Sequence, residues 1–356
     1  MVVDTRVSLG ARGATVVHSA LPRARPLLVR KGARYTCFGD GLCCTDIHAL
    51  GPVTRREKAA VELLEPGSLI RHKDLKEPVF RTVADGGPCV LRSERGCELH
   101  ARHGAAAKPI GCSRFPFGLV ATPEGGRVTT EHRCPCRTLG TRPEITVEEA
   151  LPSLLDARGR LSPNGKVGAR VTISDGKTLS FPRFRNVESA MIDALLLGAD
   201  PIRVLDVKTF GKLDGEKWKN IAAEMREDRD GSSYGEAMIW FSNGVLALTA
   251  DKRLPMSDRP WAVSYDKAEA RSPEEPFTRV LNDWVADLLW SLDWVFSTRS
   301  FHAGRRELAT LYSIAVIIGE RLVKAKVRPD RAAAEAITIV ELARQSGAWE
   351  RVQLAL

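Results

Sequence analysis

No cysteine follows Cys136, and no apolar run reaches the roughly 18 residues that a membrane-spanning helix requires. The nearest approach, over residues 311–318, is broken by Gly319, Glu320 and Arg321. Behind the basic N-terminus there is none of the roughly 7–15-residue apolar stretch of a secretory signal. The sequence has no Walker A loop, no GxGxxG after a strand, no HExxH and no GxSxG. The readable signatures of P-loop NTPases, dinucleotide enzymes, zinc peptidases and α/β-hydrolases are therefore missing. No internal repeat is visible. These absences predict a cytoplasmic protein without a membrane partner.

What is present is an ordinary globular composition. The 356 residues are 44% hydrophobic and 27% charged, enough for two domains and too apolar for wholesale disorder. The net charge of +9 is uneven. Residues 1–36 carry seven Lys/Arg against one acid, residues 37–140 carry 15 against 12, and the remainder balances. A basic arm with Arg23, Arg25, Arg30, Lys31 and Arg34 can dock on nucleic acid through residues 23–34, or on an acidic protein partner. The plainer reading is a solvated tail.

The cysteines carry the signal. All eight lie between positions 37 and 136: Cys37, Cys43, Cys44, Cys89, Cys97, Cys112, Cys134 and Cys136. Three causes compete. A disulfide framework suits neither a cytosolic setting nor the long cysteine-free remainder. Buried cysteine acting as a small apolar residue explains single positions, but not adjacent Cys43–Cys44 together with Cys134-Pro-Cys136. Metal ligation by thiolates explains the clustering best. A soft, sulfur-rich donor set selects zinc, copper(I) or iron–sulfur iron. Gly39, Gly41, Gly87, Pro88, Gly96, Pro109, Gly111 and Pro135 let the backbone turn sharply around these positions. Basic neighbours (Arg92, Arg95, Lys108, Arg114, Arg133, Arg137) are placed to lower thiol pKa values, with surface solvation as their plainer reading. Among the histidines near the cysteines (His48, His100, His103, His132), His100 is the preferred ligand candidate, against a role orienting other ligands or facing solvent.

The segment Cys37-Phe-Gly-Asp40-Gly-Leu-Cys43-Cys44 resembles the CxxCGxCC opening of the cysteine-cluster family described as zinc- or iron-chelating proteins, the YkgJ type. Gly87-Pro88-Cys89-Val-Leu resembles its second element, and Cys97-Glu-Leu-His100 its third. Lys108-Pro109-Ile-Gly-Cys112-Ser-Arg114-Phe115-Pro116-Phe117 resembles its [RK]PxxCRxFPF element, and Cys134-Pro135-Cys136 supplies the closing cysteines. The match covers about 100 residues, under a third of the chain. It implies a zinc ion or an iron–sulfur cluster, of the 4Fe-4S kind if iron. Two positions depart from the pattern. Asp40 stands where the family carries its second cysteine, and Arg114 sits one place late. Asp40 then either supplies an oxygen ligand, or is replaced as ligand by the Cys134/Cys136 pair, or marks a site that no longer binds metal.

The layout is also similar to that of the flagellin lysine-N-methylases, in which a cysteine-rich part precedes a long helical part. That resemblance implies an iron–sulfur cluster and S-adenosylmethionine. Arg133-Cys134-Pro135 is similar to their SerCysPro element, and Asn282-Asp283-Trp284 resembles part of their helical region more faintly.

The expected fold class is α+β, with a small loop-rich cysteine metal-binding domain followed by a mainly α-helical domain. Residues 1–30 read as a basic arm with room for one short strand, and 31–140 as the cysteine-cluster domain. Residues 141–185 read as a connecting helix and β-hairpin, and 186–356 as the helical domain. Thr54-Arg-Arg-Glu57 is a capping box opening a helix to about 65, and Thr146-Val-Glu-Glu149 opens another to about 157. Strands are expected at 79–83, 117–121 and 127–131, and a two-residue hairpin turn at Asp175-Gly176. Leu281, Val285, Leu288, Leu292 and Val295 fall at helical spacing, as do Ile314, Ile317, Ile318 and Leu322. In the helix after Pro329, Asp330 is expected as the cap and Gly347 as the stop. The functional readings are a metal-binding protein, an S-adenosylmethionine-dependent protein lysine methylase, and an interaction module built on the basic arm.

Overall fold

Strand pairing across a long stretch of chain ties the N-terminal region to its middle in a computed structural model. The structure describes residues 7–10, 14–17, 25–37, 44–45, 50–72, 76–83, 87–94, 96–156, 158–213, 215–227, 232–298 and 300–356. Asp40, Cys43, His48 and Arg23 lie outside these residues. The early elements are β1 (Val7–Gly10), β2 (Ala14–Val17), β3 (Leu27–Val29), α1 (Arg55–Leu64), β4 (Leu69–Arg71) and β5 (Pro78–Phe80). A small hairpin, β6 (Arg92–Ser93) and β7 (Gly96–Cys97), leads into α2 (Glu98–His103) and α3 (Ile110–Arg114). Next come β8 (Phe117–Thr122), β9 (Gly125–Thr130), α4 (Pro135–Thr138), α5 (Val147–Leu154) and β10 (Gly165–Lys166).

Six strands form one sheet in the order β1-β2-β3-β9-β8-β10. The β8–β9 hairpin is antiparallel, whereas β3 joins β9 and β10 joins β8 in parallel. Residues 25–30, assigned from sequence to a basic arm, are thus partly inside the fold. Leu27 and Val29 face the core on alternate positions and pack with Leu119, Val128, Ala150 and Leu154. The following Arg30 is 3% exposed. A continuous apolar run, Leu27-Leu28-Val29, adds a strand to the β8–β9 hairpin, and charge counting cannot see it.

The local signals fared well. Thr54 and Thr146 cap α1 and α5 through complete capping boxes with Glu57 and Glu149. β11 (Arg170–Ser174) and β12 (Lys177–Ser180) pair antiparallel around Asp175-Gly176, with Gly176 at φ +67°. The strand expected at 79–83 is shorter, ending at Phe80 in β5.

The C-terminal half is helical: α6 (Phe181–Leu196), α7 (Pro201–Leu205), α8 (Trp218–Glu227), α9 (Ser233–Thr249), α10 (Ala262–Glu269) and α11 (Phe277–Ser291). It continues through α12 (Trp294–Ser297), α13 (Phe301–Lys324), α14 (Pro329–Ala343) and α15 (Gly347–Ala355). Trp240, Trp284 and Trp349 are fully buried, and each indole N–H finds an acceptor: the Asp258 carbonyl, Glu341 and Glu307. α11 packs on α6, α14 and β9, and so joins bundle to sheet. Two end signals differ from expectation. Arg328, not Asp330, occupies the N-cap of α14, because the Asp330 carboxylate is buried and taken by Arg328 and by the N–H of Glu275. Gly347 opens α15, with the Ser346 hydroxyl capping it by accepting from Trp349 N–H at 3.2 Å. Among the described residues no helix is long and apolar enough to cross a membrane.

Candidate metal centre

Several local devices position the seven described cysteines. Residues 33–35 run beside 143–145, with Tyr35 N–H donating to Pro143 O at 3.1 Å and Ile145 N–H to Ala33 O at 2.9 Å. This brings Cys37 alongside the chain that leaves α4. Cys44 and Cys89 are neighbours through a backbone bond, Cys89 N–H to Cys44 O at 2.8 Å, beside a bridge between Thr45 and Pro88. Arg92 N–H then closes a turn on Cys89 O at 2.9 Å. The β6–β7 hairpin, reversed at Gly96 with φ +100°, places Cys97 at the N-cap of α2. Cys112 lies in α3, which Glu57 ties to α1 by accepting from Ile110 N–H at 2.7 Å. Cys134 is the N-cap of α4 and Cys136 lies in its first turn, after Pro135 at the position that tolerates a missing N–H.

All of these except the α4 pair converge on one cavity of about 860 Å³. Its wall includes Cys37, Cys44, Cys89, Cys97 and Cys112, with apolar surface from Leu50, Phe80, Leu91, Leu99, Phe115 and Phe117. Polar groups on the wall are His100, Lys108, Arg114, Glu131, Arg133 and Asn164. Cys89 packs with Val53, Val61, Leu69, Phe80, Leu91 and Leu99 in a small core, and Cys44, Cys97 and Cys112 pack against the same cluster. Cys134 and Cys136 do not line the cavity. They are 1% and 4% exposed and lie within electrostatic reach of Tyr35. Among the described residues no disulfide joins two cysteines, and no three Cys, His, Asp or Glu side chains stand close enough together to hold a metal ion.

Burial pushes the Cys89 thiol up; the nearby Cys97 adds to this and the backbone N–H of Leu91 opposes it. Tyr35, which sequence reasoning passed over, stands at the cavity wall and packs edge-on against Phe117 with ring centroids 5.1 Å apart. Its hydroxyl is raised far above the usual phenol value by burial first, then by the charges of Cys134, Cys37 and Cys136 and a hydrogen bond to Cys37. Only its position two residues before Cys37 hinted at this. His100 lines the cavity but is exposed. His103 contacts Glu65 at 3.2 Å instead.

The basic neighbours divide. Lys108, Arg114 and Arg133 line the cavity. Arg114 donates to Ser162 O through one terminal nitrogen and leaves Nε buried without a partner. Arg133 pairs with Glu131 and reaches Gln345 of the bundle at 3.4 Å. Arg137, beside Cys136 on α4, is 3% exposed, which corrects its reading as a surface residue. Together with Arg30 it binds Asp283 and Asp287 of α11 in a buried network. Thr130 donates to Asp287 at 2.7 Å, and His132 Nε2 lies 2.7 Å from the same oxygen. Although burial opposes ionisation, Arg137 and Arg30 hold Asp283 below the usual carboxylate range and Asp287 well below it. The partners are separated by 146 to 257 residues, so no sequence window contains both. Two further arm arginines are also engaged: Arg25 donates to Thr122 O at 3.0 Å and Arg34 to Arg142 O at 3.2 Å. The chain matches no family model, no curated protein and no solved structure.

Proposed function

We propose that this protein binds a metal centre, a zinc ion or an iron–sulfur cluster, through the cysteines of residues 37–136, in the manner its resemblance to the YkgJ-type family implies. The observation that carries the reading is the shared cavity: Cys37, Cys44, Cys89, Cys97 and Cys112 line it. Four of them pack against one small apolar cluster. The donor type supports the reading, because thiolates in an apolar pocket favour zinc and iron–sulfur iron over magnesium or calcium, and binding requires the thiols to draw closer together than they stand here. Lys108, Arg114 and Arg133 offset part of the negative charge that such thiolates accumulate. Cys44, Cys89, Cys97 and Cys112 would supply thiolates, with Cys37 and His100 on the same wall. The bound metal would supply either a structural crosslink or an electron-transfer centre.

Anaerobic purification tests this. A brown protein with broad visible absorption selects iron–sulfur, and a colourless protein with stoichiometric zinc selects zinc. A folded, metal-free chain contradicts the proposal.

One observation favours a second reading, the S-adenosylmethionine-dependent lysine methylase. The cavity volume falls within the roughly 300–1,000 Å³ of small-molecule sites, more than a metal centre alone requires. Calorimetry with S-adenosylmethionine is expected to show saturable heat that disappears in Cys44→Ala. Absence of heat in the wild-type chain retires this reading.

A further inference from the structure

We infer that the cavity is a binding site for a small amphipathic anion, a molecule with a carboxylate or phosphate head and an apolar body. The head would lie against Arg114, Asn164 and Lys108, and the body against Leu50, Phe80, Leu91 and Leu99. The inference goes beyond the metal reading, because it rests on the cavity and its cations and not on the sulfurs.

Three observations carry it. The first is charge. On the cavity wall Arg133 pairs with Glu131, and the two cancel. Lys108 and Arg114 have no carboxylate partner among the described residues. Both are half-buried, where water and salt screen a charge less than at an open surface. The second is hydrogen bonding. Arg114 donates to Ser162 O, and its Nε is buried without an acceptor. Two residues beyond Ser162, Asn164 N–H donates to Leu119 O at 2.7 Å, and its side-chain oxygen accepts from Leu119 N–H at 3.0 Å. That fixes the orientation of the carboxamide and leaves its NH2 as an unused donor among the described residues. Donors in excess beside a cavity suit a ligand rich in acceptor oxygens, which a carboxylate or phosphate is and a cation is not. The third is the rest of the wall. Phe80, Leu91 and Leu99 belong to the small apolar cluster and Leu50 packs against it, so a hydrocarbon body there extends an existing core. The volume of about 860 Å³ accommodates head and body together.

Calorimetry on the full chain with octanoate, octyl phosphate, octan-1-ol and acetate tests this. Octanoate or octyl phosphate is expected to bind saturably, about tenfold or more tighter than octanol or acetate, and the tighter of the two identifies the head. Arg114→Gln and Lys108→Gln are each expected to weaken that binding about tenfold. Arg203→Gln, which removes an exposed cation on α7, is expected to leave it unchanged. No saturable heat with either anion, equal affinity for octanol or acetate, unaffected binding in either cavity variant, or an equal loss in Arg203→Gln overturns the inference. Arg114 also supports the fold through Ser162, so a second measurement leaves the chain unmutated. The tighter anion, at saturation, is expected to slow alkylation of Cys97 and Cys112 several-fold, since both are half-buried on the same wall. An unchanged rate overturns the inference. Metal content of the same preparation keeps the two readings apart. A metal-free chain that binds the anion contradicts the metal centre alone, and a metal-loaded chain that does not bind it contradicts the anion site alone.

Discussion

Arg127 on β9 and Glu188 on α6 form a bidentate ion pair sealed from water, with both nitrogens 2.8 Å from the carboxylate oxygens. The guanidinium also lies over the Trp290 ring at 4.2 Å and donates to Trp290 O, while Trp290 Nε1 donates back to Val128 O. Sheet and bundle are pinned together at this point. Removing one partner strands the other charge in the interior, so Arg127→Ala is expected to cost about 3–5 kcal/mol. The double change Arg127→Met with Glu188→Leu is expected to recover much of that, because apolar residues of similar volume need no compensation. Denaturant unfolding reads both, and a double variant no better than the single contradicts the assignment.

The Arg30–Arg137–Asp283–Asp287 network makes the same junction acid-sensitive. Both carboxyls titrate below their ordinary value in the folded chain. Their contribution is therefore fully present above about pH 4, the usual carboxylate value, and is lost as pH falls through the lower folded values. Thermal midpoints of wild type and Asp287→Asn are expected to differ by a constant amount from pH 5 to 7. They should converge at lower pH. A gap that persists undiminished to the most acidic folded condition argues against the network.

Gly140 follows α4 with φ +75°, and a Cβ built there stands 2.4 Å from Ser272 Cβ. Gly140→Ala meets both backbone strain and a clash and is expected to cost about 1–3 kcal/mol. Adding Ser272→Gly relieves the clash and leaves the strain, so partial recovery is the expected outcome in thermal unfolding. A neutral Gly140→Ala rules out this close approach.

Cys44→Ala and Cys112→Ala are each expected to lower metal content and thermal midpoint together. The cluster they pack against is small, and a metal there contributes directly to folding. Metal loss with an unchanged midpoint rejects that coupling.

What the sequence made legible is what short stretches of chain decide. The capping boxes at Thr54 and Thr146, the Asp175-Gly176 turn and the helical stripes of α11 and α13 each need only a few neighbouring residues. The α+β class follows from them. The parallel strands β3 and β10 were out of reach, because their partners lie far along the chain and no turn connects them directly. Arg30 reads as surface charge until Asp283 and Asp287 are brought to it. Five of the seven described cysteines share a cavity wall, and Cys134 and Cys136 are buried away from it, a division that no spacing rule indicates.

The most direct measurement is the metal content of the folded full-length chain after anaerobic purification, by elemental analysis set against protein concentration. At least one equivalent of zinc, or iron with matching acid-labile sulfide, is the expected result, lost together with the fold when a strong chelator is added. A chain that stays folded, carries no zinc or iron, and ignores the chelator contradicts the metal-centre reading.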